Sequence, residues 1–163
     1  MTKLTADYFV NELLIPGING NLQSERLNLA KLTAMINKYE PIFLEKLMGT
    51  DLYAKYSADS LVSGIYYDLF LQIYDTALFL SPAANYVYFM YWRTFTTQTT
   101  STGETQAKQE NSTGASIVAK MINAWNEMSA RVDKIREWIM DNDTNYPEFS
   151  TDGMEEFGLL NPA

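Results

Sequence analysis

Residues 117–141, Ile-Val-Ala-Lys-Met-Ile-Asn-Ala-Trp-Asn-Glu-Met-Ser-Ala-Arg-Val-Asp-Lys-Ile-Arg-Glu-Trp-Ile-Met-Asp, decide the fold class. Val118, Met121, Trp125, Met128, Val132, Ile135 and Ile139 recur at alternating steps of three and four, a heptad seam. Ile117, Ile122 and Trp138 widen the stripe, and Lys120, Glu127, Arg131, Lys134 and Glu137 lie mostly outside it. A helix of about 25 residues spans roughly 37 Å, so its seam needs partners of similar length. The segments 65–80 and 82–96 are the candidates.

Working back toward the N-terminus, Ser81-Pro82 is a helix start, with Ser81 as N-cap and Pro82 at the first helical position. The helix that follows is apolar all round from Ala83 and should be the most buried. Its tyrosines, Tyr86, Tyr88 and Tyr91, should carry their hydroxyls to the core boundary. Ile65, Leu69, Ile73 and Ala77 step by four, which predicts a helix over 65–80 with Asp68, Gln72 and Asp75 on its wetter side. Further back, Ser24 is a candidate N-cap for a helix from Glu25. Pro41 should break that helix and open another that stops at Gly49, with Asp51 capping one more turn to Tyr56. Residues 5–14 suit a short first helix before Pro16-Gly17. The expected fold is all-α: a helical bundle of about five helices over residues 1–141.

Two segments stand outside this pattern. Residues 97–114 hold one apolar side chain, Ala107, in eighteen positions. So polar a loop cannot offset its ordering entropy by burial, and it is longer than most connections in a compact domain. It is expected to be shaped by a neighbouring molecule, with Thr97, Gln98, Thr99, Thr100, Gln106, Gln109 and Asn111 offering hydrogen bonds. Residues 142–163 mix acids with isolated apolar side chains: Tyr146, Phe149, Met154, Phe157, Leu159 and Leu160. They keep no helical period. An extended tail is expected, docking on an adjacent subunit through Tyr146, Phe149, Phe157, Leu159 and Leu160, with folding back onto its own bundle as the alternative.

Composition narrows the chemistry. The chain has 163 residues, no cysteine and no histidine. That removes thiolate nucleophiles, imidazole bases and His or Cys zinc sites. Carboxylate pairs such as Asp68/Asp75 or Glu40/Glu45 would have to carry any acid–base catalysis, and the ordinary reading of each is a solvated helix face. Asp141, Asp143 and Asn145 echo an oxygen-ligand loop but lack its glycine and distant glutamate. No cofactor or metal is expected, and the chain is read as a non-enzyme. The net charge is −8, with residues 95–163 carrying five Lys and Arg against eleven Asp and Glu. Such a chain is poorly suited to holding nucleic-acid phosphates, though DNA could pass nearby. The first residues form no signal peptide, and no run of about 18 apolar residues supports a membrane span.

Lys38-Tyr39-Glu40-Pro41-Ile42-Phe43-Leu44-Glu45-Lys46-Leu47-Met48-Gly49, followed by Asp51-Leu52-Tyr53, resembles a block in small proteins of tailed phages and prophages. So do Ser81-Pro82-Ala83-Ala84-Asn85-Tyr86-Val87-Tyr88, then Lys120-Met121 with Ala124-Trp125-Asn126-Glu127-Met128. In the same order over roughly residues 25–140, the chain is similar to head–tail connectors, adaptor or head-completion proteins. The resemblance implies an all-α virion structural protein at the head–tail junction, made in the bacterial host cytoplasm. It further implies a homo-oligomeric ring, often dodecameric, that meets the portal protein and a further tail or adaptor protein while DNA passes without specific binding. It supplies no catalytic residues. The competing expectation is a non-enzymatic intracellular protein-binding module or regulator that dimerises through the 118–139 seam.

Overall fold

The computed structural model describes residues 3–95, 97–100, 103–106, 117–152, 154 and 157–161. The fold is all-α, with helices α1 (Gln23–Met48), α2 (Thr50–Ala58), α3 (Ile65–Ile73), α4 (Pro82–Phe95) and α5 (Ile117–Asp141). α4 is the central helix, packed along α5 on one side and α1 on the other. Its start follows the sequence: the Ala83 N–H donates to the Ser81 hydroxyl at 3.2 Å. Its residues from Pro82 to Tyr88 are all buried. Asn85, also buried, donates from its amide to the Ala124 carbonyl at 3.0 Å and to Glu127 at 3.2 Å, fixing α4 against α5.

The α5 seam is buried in part. Met128, Val132, Ile135 and Ile139 are core residues, whereas Val118 is 53% exposed and Met121 and Trp125 are half-buried. The seam is therefore spent within the chain, chiefly against α4. This leaves its lower half unavailable for the dimer interface considered above.

Several expected boundaries are corrected. Helix α1 runs through Pro41 instead of breaking there. An interior proline removes one hydrogen bond and strains the preceding turn. On both sides of it, however, Met35, Ile36, Glu40, Phe43, Leu44 and Leu47 are buried on one continuous face. The start of α1 also lies earlier, with Leu22 at the N-cap, and Glu25 accepts the N–H groups of Asn21 and Leu22 at 2.9 and 3.1 Å. Gly49 does end α1. Its φ of 79° is in the left-handed region, its N–H bonds the Glu45 carbonyl at 2.8 Å, and it precedes α2.

The helix expected over 65–80 stops at Ile73. Asp75 then accepts the Ala77 and Leu78 N–H groups at 3.0 and 2.9 Å, and Asp75 pairs with Leu80 through two main-chain bonds. A side chain that satisfies local N–H groups competes with the helix at that point. The helix expected over 5–14 is a single 3-10 turn, Ala6–Phe9. This N-terminal segment is nonetheless part of the core, with Leu4, Tyr8, Phe9, Leu13, Ile15 and Ile18 buried. Its anchor is Glu40 on α1, which accepts the N–H of Lys3 at 2.9 Å, that of Leu4 at 3.1 Å and the Tyr74 hydroxyl at 2.6 Å.

Within the polar segment between α4 and α5, Thr97–Thr100 (β1) pairs antiparallel with Gly103–Gln106 (β2), with Thr97 opposite Gln106 and Thr100 opposite Gly103, an order the sequence reading did not specify. Threonine suits the extended backbone, and the pairing satisfies main-chain groups that a polar coil leaves to water.

Candidate interaction site

The residues singled out for interaction fall into two places. Thr97, Gln98, Thr99 and Thr100 form β1, and Gln106 ends β2; Gln109 and Asn111 lie outside the described residues. The ribbon leaves the end of α4. Among the described residues, neither of its outer edges meets a third strand. None of its eight strand residues is apolar. A two-stranded ribbon of this kind is marginal in water by itself, and a strand edge that meets no third strand is a template for a chain that approaches.

The second place is the C-terminal segment, which lies on its own bundle. This corrects the expectation of a tail extended toward a neighbour, at Tyr146 and Phe157 above all, since both are buried. The Tyr146 hydroxyl donates to the Ile65 carbonyl at 2.6 Å, and its ring meets those of Trp138 and Tyr66. Burial pushes its phenol pKa up to about 12, so it donates throughout the physiological range. Phe149 packs half-buried against the core, and Lys55 pairs with Glu148.

Phe157 enters a cluster formed by Phe43 of α1, Tyr86 of α4 and Trp125 of α5, with ring centroids 5.8, 6.4 and 6.1 Å away. The Arg136 guanidinium stands 5.7 Å from the Phe157 ring centroid. The same guanidinium donates to the Lys46 and Leu47 carbonyls at 2.7 and 3.1 Å, at the negative end of α1. Around the anchor, α5 bonds the segment's main chain. The Trp125 indole donates to the Gly158 carbonyl at 2.7 Å, and the Ser129 hydroxyl donates to the Phe157 carbonyl. The Asn126 amide donates to the Leu160 carbonyl at 2.9 Å and accepts the Leu160 N–H at 2.7 Å. Leu160 is half-buried, whereas Leu159 is 70% exposed.

Sequence reasoning named Phe157 and Leu160 but missed Asn126, Ser129 and Arg136, which hold them. Ser129 and Arg136 lie on α5 beside the seam, and nothing in the local spacing ties them to residues 28 and 89 to 90 positions away. The carboxylates form no acid–base pair of the kind considered. Glu40 is buried against the N-terminal segment, Asp75 shapes a turn, and Asp68 is exposed. Among the described residues no group of three or more His, Cys, Asp and Glu lies together as metal ligands, and no helix is long and apolar enough to cross a membrane. No family model, curated protein or solved structure matches the chain.

Proposed function

We propose that the chain is a virion structural protein, the subunit of a ring-forming head–tail connector that docks on a portal protein. The observation that carries this reading is the ribbon β1–β2, a polar two-stranded element between α4 and α5 whose outer edges meet no third strand among the described residues. Main-chain hydrogen bonds are what such an edge has to give, and they suit addition to another polypeptide. The resemblance of the blocks at 38–53, 81–88 and 120–128 to connector proteins supports the same role, and the partners follow from it: further copies of the chain, the portal, and a tail or adaptor protein. The excess of acids in residues 95–163 also supports it. A wall of this charge gains little from DNA phosphates and lets the duplex move past.

The test is to replace residues 97–106 with a Gly/Ser segment of equal length. Helix content and thermal unfolding should stay as in the parent, since the core lies elsewhere. Assembly on the portal protein, followed by sedimentation, should be lost. A ribbon-less chain that assembles as well as the parent contradicts the proposal.

A further inference from the structure

Between α1, α2 and the turn that follows α2 lies a partly enclosed cavity of about 130 Å³. Leu44 of α1, Tyr56 of α2 and Leu61 line it and are buried, and Tyr53 beside them is half-buried. Ser57 and Ser60, both exposed, mark its mouth. The walls ask for an apolar body, and the volume sets its size: apolar cavities of about 150 Å³ admit benzene.

Two features of the walls go beyond packing. The Tyr56 hydroxyl is buried and has no hydrogen-bond partner among the described residues. A buried donor in that state costs the fold free energy that an acceptor would return. Burial, helped by the charge of Glu40, pushes the phenol pKa well up, so the hydroxyl keeps its proton to donate. Leu61 has a φ of 54°, in the left-handed region that such a side chain rarely adopts. It is held there by Asp59, whose carboxylate accepts the Leu61 N–H at 2.7 Å. Backbone strain of this kind collects at ligand clamps.

We propose that this cavity binds a neutral, ring-sized molecule with one oxygen acceptor, which takes the hydrogen bond of the Tyr56 hydroxyl while its ring lies against Leu44, Tyr53 and Leu61. The walls select this class. A large ligand does not fit about 130 Å³. A hydrocarbon fills the space but leaves the hydroxyl without an acceptor. An anion meets the carboxylate of Glu40, whose charge acts on the Tyr56 phenol. Lys3 and Asp59, one base and one acid, complete the lining and leave no net charge to draw in an ion. The inference goes beyond the connector reading and does not depend on a portal or a ring.

Phenol and toluene, alike in shape and differing in the oxygen, are the probes. Titrated into the isotopically labelled full-length chain and followed by NMR, phenol should shift the amide signals of Tyr53, Tyr56 and Leu61. Tyr56→Phe should weaken phenol about fivefold to tenfold, the worth of one hydrogen bond, and leave toluene binding as in the parent. Phenol that leaves those amides unmoved at millimolar concentration overturns the site. Phenol bound equally by parent and variant, or an equal loss of both probes, overturns the hydroxyl as the recognising group. Thermal unfolding reads the same variant without any ligand. The oxygen removed has no partner, so Tyr56→Phe should be at least as stable as the parent. A variant that is markedly less stable, or that does not fold, shows the hydroxyl to be satisfied already and overturns the proposal.

Discussion

Glu40 shows how one side chain settles the course of a whole segment. Its carboxylate is 1% exposed and takes donors from Lys3, Leu4 and Tyr74. Burial nevertheless raises its pKa above the ordinary carboxylate value, the hydrogen bonds opposing this only in part. A folded-state pKa above the unfolded one means that the folded protein binds the proton more tightly. The contribution is then fully present below the unfolded pKa and lost as pH rises through the folded value. Glu40→Gln removes the titration. In urea unfolding from pH 4 to 8, the parent should lose ground to Glu40→Gln as pH rises. A parent that gains ground instead would mean that the three donors outweigh burial. None of this was legible in the sequence, where Glu40 was one acid on a helix with its partners 34 to 37 residues away.

At the scale of the element, legibility followed how local the deciding interaction is. Ser81-Pro82 and Gly49 act on their own neighbours, and both helix ends fall where those residues put them. The interior of α5 was legible because its apolar period needs no knowledge of the partner. Pro41 was misread because its local penalty is outweighed by burial on both sides of it. That makes a prediction: with the helix already continuous, Pro41→Ala should restore a missing hydrogen bond and stabilise the fold by about 1–3 kcal/mol. Chemical denaturation measures it, and a destabilised variant would indicate that α1 depends on the proline's geometry. The end of α3 was invisible for the opposite reason. Asp75 looked like a wet-face helix residue, and only its bonds to Ala77 and Leu78 mark the turn. The ribbon was recognised as polar and unable to bury itself, but the antiparallel pairing of 97–100 with 103–106 was not.

For the whole molecule, the sequence separated a helical body from two unusual segments, of which the C-terminal one lies on its own bundle instead of extending from it. The C-terminal segment supplies core residues, because Phe157 finds its slot among side chains from α1, α4 and α5, which sequence spacing does not bring together. Among the described residues, the outer edges of the polar ribbon meet no third strand. On the connector reading, this body is a subunit that associates through its ribbon, with other copies and with a portal. The most direct test is the mass of the full chain in solution, alone and with portal protein, by sedimentation and native mass spectrometry. A closed multi-subunit species should form on the portal, whether or not the chain forms rings by itself. A strictly monomeric chain that ignores the portal at every concentration would contradict it.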